Sequence, residues 1–189
     1  GSVVLSAGSF SSYTWNTSAT TSTISPTTSG TYSVLVTDAN GCTARDTVEV
    51  TINSVPSVSL GNDTTQCGGS VVLSAGSFSS YAWSTSATTS SISPTTSGTY
   101  SVLVTDANGC TARDTVEVTI NSEPSVSLGN DTAQCGGSVV LSAGNFSSYA
   151  WSTSATSSSI TASTSGAYHV EVTASNGCTA LDTINVTIN

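Results

Sequence analysis

The 189 residues carry a formal net charge of −9, from eleven carboxylates set against two arginines, Arg45 and Arg113, and no lysine. A chain so poor in cations cannot displace counterions from phosphates, which excludes nucleic acid and anionic membrane surfaces as partners. Charged residues are 7% of the chain, far below the roughly 25% of an ordinary domain. Serine and threonine exceed a third of it, so its polar surface is one of hydroxyls.

The chain repeats itself every 68 residues: Trp15, Trp83 and Trp151; Tyr32, Tyr100 and Tyr168; Cys42, Cys110 and Cys178. Residues 1–53 differ from 69–121 only at Thr14/Ala82, Asn16/Ser84 and Thr23/Ser91, and the third copy has drifted further. A period of that size is a small independent domain rather than a solenoid coil or a propeller blade. The expected units are 1–53, 54–121 and 122–189. The first unit begins mid-repeat, because Gly1 aligns with Gly69, so the chain reads as part of a longer array. No run of apolar residues approaches the roughly 18 that a spanning helix needs, and any export signal or anchor is expected to lie outside these residues.

The second copy is complete. Ser54-Val55-Pro56 is a short linker. Ser57–Leu60 alternates and is expected to form a first strand, ended by a turn at Gly61–Thr64. Strands are expected next at Ser70–Ala75, Ser79–Thr85 and Ser90–Ser93, the last stopped by Pro94. Then comes the longest signal, Gly98–Ile120. Tyr100, Val102 and Val104 fall on one face of its first run, and Val116, Val118 and Ile120 on one face of its second. Such period-two alternation marks half-buried strands, and Asn108-Gly109 between them fits a two-residue type I′ hairpin turn. Six or seven strands with no helical period make an all-β, antiparallel two-sheet sandwich. Its inward residues should be Val71, Leu73, Tyr81, Trp83, Ile92, Tyr100, Val102, Val104, Val116, Val118 and Ile120. Leu35 and Leu103 are apolar on the outward face. The first copy lacks the segment equivalent to Ser57–Leu60, which leaves a sheet edge open to strand addition.

Five cysteines occur, at 42, 67, 110, 135 and 178. Cys67 precedes the first core strand of its unit and Cys110 follows the hairpin turn, and Cys135 and Cys178 repeat that spacing. The expectation is two bridges within units, Cys67–Cys110 and Cys135–Cys178, with Cys42 left unpaired by truncation. Each would close a loop of about 44 residues, worth about 3–4 kcal/mol in the chain-entropy treatment. A metal site is the alternative, but two cysteines per unit without a nearby histidine cannot supply four ligands. Disulfides place the chain in an oxidising, extracellular compartment.

Catalysis needs converging titratable groups. The only histidine, His169, replaces Ser33 and Ser101 of the other copies at an outward position. Asp114 and Glu117 point to opposite faces of one strand. Asp63 and Asp106 lie in turns with Asn62 and Asn108, where they either cap their own turns or hold Ca²⁺. No catalytic residue, metal site or cofactor is assigned, and no enzyme is expected.

The strings P-S-V-S-L-G-N-D-T-x-Q-C, S-Y-x-W-S-T, S-G-T-Y-S-V-L-V-T-D-A-N-G-C-T and D-T-V-E-V-T-I resemble the Ig-like repeats, close to the polycystic-kidney-disease type, of very large secreted surface proteins of gliding bacteria. The resemblance covers essentially all of the chain. It implies a structural or adhesive repeat segment of a cell-surface fibre or filament, of the gliding-motility adhesin kind. Partners would be neighbouring repeats or self-association. It also implies candidate O-glycosylation at Thr47, Thr64, Thr115, Thr132 and Thr183, each following an aspartate. The competing function is an array of carbohydrate- or surface-binding modules with aromatic platforms for surface glycans. An exposed Trp83 would favour that reading, and a buried one opposes it.

Overall fold

The computed structural model describes residues 1–189 as strands and loops, with no helix. The first repeat has β1 (Leu5–Ser6), β2 (Ser12–Trp15), β3 (Thr23–Ile24), β4 (Gly30–Thr37) and β5 (Thr43–Val50). The second has β6 (Thr64–Cys67), β7 (Leu73–Ser74), β8 (Ser80–Trp83), β9 (Ser91–Ile92), β10 (Gly98–Thr105) and β11 (Thr111–Asn121). The third has β12 (Thr132–Gln134), β13 (Val139–Ser142), β14 (Ser148–Trp151), β15 (Ser159–Ala162), β16 (Gly166–Thr173) and β17 (Thr179–Ile188).

In the second repeat a four-stranded sheet of order β6-β11-β10-β8 faces the two-stranded pair β7-β9, and the third repeat has the same plan. The hairpin forms as its alternation requires: Tyr100 lies opposite Val116 and Val102 opposite Asp114, all antiparallel. Its turn differs from expectation. Thr105 pairs with Thr111, leaving five residues in the loop rather than two. Asp106 Oδ1 accepts from the N–H groups of Asn108 (2.8 Å) and Cys110 (2.9 Å). Only Gly109 has a left-handed φ, at 80°. Aspartate at the loop's head thus replaces the type I′ geometry with an Asx-capped one.

The second correction concerns the leading segment. Ser57–Leu60 is not a strand; the strand lies further on, at β6, and runs parallel to β11, with Thr64 opposite Val118 and Cys67 opposite Asn121. Val58 and Leu60 still pack on the core, but their backbone has no ladder partner. The Leu60 N–H donates instead to Asp114 Oδ2 at 2.7 Å. The sandwich is therefore antiparallel everywhere except at this leading strand. The expected strand Ser79–Thr85 also stops early, at Trp83, where the chain turns through Ser86 at φ 67° and the Trp83 N–H reaches Ala87 O.

The inward residues gather in three cores. Leu73, Trp83, Tyr100, Val102, Val104, Val116 and Val118 are buried in the second, with Val71, Tyr81, Ile92 and Ile120 packed against them. Trp83 is only 4% exposed, and its Nε1–H donates to Thr89 O at 2.8 Å. Burying about 200 Å² of indole is worth roughly 5 kcal/mol in transfer terms. Trp15 and Trp151 sit the same way, donating to Thr21 O and Ser157 O. Tyr81 ties the loop before its strand: its hydroxyl donates to Gly76 O and accepts from the Phe78 N–H. Leu35 and Leu103 are exposed.

Candidate functional site

Two places carry chemistry beyond the three cores, and both follow from the parallel leading strand. The first is the junction between the second and third repeats. Because β6 runs parallel to β11, Cys67 emerges at the end of its repeat where Asn121 leads into the linker. Cys110, just before β11, lies at the other end of the same strand, about 35 Å away at the rise of a β-strand. That separation rules out the expected Cys67–Cys110 bridge, because bridged Cα atoms lie within about 7 Å. The bridge formed is Cys67–Cys178, with a Cα–Cα distance of 5.6 Å across 111 residues of sequence. It joins the leading strand of one repeat to the hairpin turn of the next. The expected Cys135–Cys178 pair is displaced with it, and Cys42, Cys110 and Cys135 are free thiols.

Side chains around the bridge hold the two repeats together. Asn121 Nδ2 donates to Asn176 O at 3.3 Å, and Asn176 Nδ2 donates to Ser122 O at 3.0 Å. The Cys178 N–H donates to Asn176 Oδ1, and its sulfur is fully buried. Gly68 folds back under the joint with φ 56°, its N–H donating to Asn121 O. A Cβ there would stand 2.7 Å from the Glu123 carboxylate. The left-handed φ is what favours glycine at 68, since the Glu123 side chain is flexible enough to move aside.

The second place is the first repeat, where Gly1 aligns with Gly69, so that residues 1–189 hold no counterpart of Val58 and Leu60 and the surface these would cover is bare. A groove of about 480 Å³ opens there, lined by Leu5, Trp15, Val34, Val36 and Val48, with Asp46 at its rim. Val48 is 42% exposed, whereas its counterparts Val116 and Ile184 are 1% and 2% exposed. Strand β5 is the edge of its sheet and ends at Val50, whereas β11 runs on to Asn121.

The remaining candidate residues do not converge. No group of three or more His, Cys, Asp or Glu could hold a metal ion. Asp106 caps its own turn, and Asp63 Oδ1 accepts from the Glu117 N–H across the sheet. Asp131 repeats that role in the third repeat, taking Nδ2–H and N–H bonds from Asn185, and these hold its carboxyl below the usual value. Arg113 does not turn to Asp114: its guanidinium covers Ser101 and donates to the Ser101 hydroxyl at 2.8 Å. His169 is exposed. Of the threonines, Thr47, Thr115 and Thr183 are exposed, while Thr64 and Thr132 are half-buried in the leading strands. The joint asparagines were missed in sequence, where each reads as an ordinary turn or linker residue.

Paired sheets around a buried tryptophan, repeated in series, define the class: a tandem array of Ig-like β-sandwiches. No protein-family model matches the chain, and no curated protein matches it. Among solved structures, an I-band fragment of titin is similar over 90% of this chain and 78% of its own, at 11% identity and TM-score 0.43. The insect immune protein hemolin is similar over 84% of this chain, at 15% identity and TM-score 0.39. The match spans 56% of the hemolin chain. The Bacteroides ovatus protein SGBP-B, solved with a mixed-linkage heptasaccharide, is similar over 99% of this chain and 60% of its own, at 16% identity and TM-score 0.25.

Proposed function

We propose that the chain is a structural or adhesive segment of an extracellular surface fibre, its units being residues 1–53, 54–121 and 122–189. The observation that carries this reading is the Cys67–Cys178 bridge. A bridge inside a domain would serve that domain's stability. A bridge between successive domains serves the string, because it limits bending and stretching at the joint. The two asparagine bonds around it act in the same direction. Such a bridge belongs to an oxidising compartment, hence the cell exterior. The gliding-motility adhesin type is the finer form of the proposal, supported by the sequence strings alone. Neighbouring repeats or further copies of the chain are the partners, the three exposed threonines are the best-placed glycosylation candidates, and no enzymatic activity is assigned.

The carbohydrate-module reading loses its platform. Trp15, Trp83 and Trp151 are each 4% exposed and committed to core hydrogen bonds. Non-reducing digestion after glutamate tests the proposal directly. Fragment 50–117 holds Cys67 and Cys110, and fragment 172–189 holds Cys178. The two should co-migrate as one species that reductant separates. A species joining 118–171 to 172–189 would put the bridges inside repeats and remove the basis for the reading. Electron microscopy of native material should show filaments.

A further inference from the structure

Arg45 and Arg113 are the chain's only arginine or lysine side chains. Both stand on the outward face of the larger sheet, each directly across from a leucine: Leu35 opposes Arg45, and Leu103 opposes Arg113. Leu35 and Leu103 are 42% and 41% exposed. Arg45 donates to the Ser33 hydroxyl at 3.0 Å and Arg113 to that of Ser101 at 2.8 Å. That bond holds each guanidinium over the sheet and leaves its remaining N–H groups for another acceptor. The third repeat departs from this pattern at the same three positions: His169 replaces the serine, Glu171 the leucine and Leu181 the arginine. Glu171 lies directly across from Leu181, and both are exposed, Leu181 by 62%. A charged and an apolar side chain thus sit side by side in every repeat. In the third the charge is negative, and it has moved from the second hairpin strand to the first.

We propose that this sheet face binds a second copy of the chain, with the third repeat of one copy lying on the first or second repeat of the other. The register fixes the orientation. When one sheet is turned over onto another by rotation about the strand direction, the first hairpin strand of each lies over the second of the other. On the second repeat, β16 then covers β11 and β17 covers β10, so Glu171 faces Arg113 and Leu181 faces Leu103. Sheets stacked face to face lie about 10 Å apart, a gap that pairs of long side chains fill. Rotation about the in-plane direction across the strands would set Leu181 over Arg113 and Glu171 over Leu103, stranding both charges. Like repeats match no better in the first orientation, because second on second sets arginine over leucine twice and third on third sets Glu171 over Leu181 twice. The face therefore selects unlike repeats, through the mismatch of the wrong pairs. Ala82 and Ala150, beside Leu103 and Glu171 on the next strand of each sheet, are small and leave the approach open. Rotation about the strands keeps the two chains running in the same direction, staggered by one or two repeats. Such a contact is heterologous and does not close on itself, so copies add in series to a filament. The proposal rests on the fibre reading above and names the surface through which copies meet.

The test is sedimentation equilibrium of the whole 189-residue protein over a range of concentrations, with its free thiols alkylated so that no intermolecular disulfide contributes. One such patch is small beside the roughly 800 Å² per partner of a stable complex, so the association is weak and should weaken further in high salt. The expected result is a weight-average mass that rises with concentration. Glu171→Arg by itself, and Arg45→Glu together with Arg113→Glu, should each lower the association constant by about tenfold or more. Mixing the two variant proteins should restore it, although both remain net negative. Recovery on mixing is a result that misfolding cannot produce. A wild-type protein that stays monomeric, variants that associate as the wild type does, or a mixture that shows no recovery would each overturn the proposal. The fibre reading fails separately, since it depends on the Cys67–Cys178 linkage, which these exposed substitutions leave in place.

Discussion

The joint bridge has a mechanical consequence that can be computed from its position. A load entering at the second repeat's leading segment reaches Cys67, crosses the bridge to Cys178, and leaves through β17. The 111 residues of sequence between the two cysteines carry none of it. Extended chain spans about 3.6 Å per residue, so the bridge hides about 400 Å of contour, whereas its folded span is 5.6 Å. Single-molecule pulling on the second and third repeats, with and without reductant, should show about 40 nm more total extension once the bridge is cut. Cys67→Ser should give the same gain without reductant. The intradomain pairing read from the sequence would instead hide two lengths of about 15 nm each, at 43 residues apiece. Two such increments, or no change on reduction, would refute the reasoning. In the chain-entropy treatment a loop of this size is also worth about 4–5 kcal/mol against unfolding of both repeats, so their melting should fall by about 15 °C on reduction.

Four further outcomes follow from individual contacts. Asp114→Ala leaves the Leu60 N–H without its acceptor and should lower the local opening free energy of the second repeat by about 1–3 kcal/mol in native-state hydrogen exchange. The same change at Asp46, whose groove is empty, should stay within about 0.5 kcal/mol. Trp83→Ala should cost about 3–5 kcal/mol in urea denaturation, and iodide should barely quench the three tryptophans until the chain unfolds. Gly68→Ala meets a left-handed φ, so it should destabilise the joint by about 1 kcal/mol or more. Asp131, held low by Asn185, contributes stability above the ordinary carboxylate range. That contribution fades as pH falls through the lowered folded value, so the Asn185 amide shift should titrate below pH 3.8. Titration at or above that pH would contradict the bond.

The amino-acid pattern by itself determined which side chains point inward. A pleat has period two, so Tyr100, Val102 and Val104 share a face whatever lies beyond it, and all three are buried. The 68-residue period likewise settled that whatever one repeat does the others attempt. The tertiary structure alone decided the direction of the leading strand. Alternation is the same read forward or backward, so Val58 and Leu60 mark themselves as core without saying which end of the sandwich Cys67 will reach. Spacings of 43 and 111 residues are equally open to a flexible chain. Only the parallel pairing of β6 with β11 carries Cys67 away from Cys110 and sets it against Cys178.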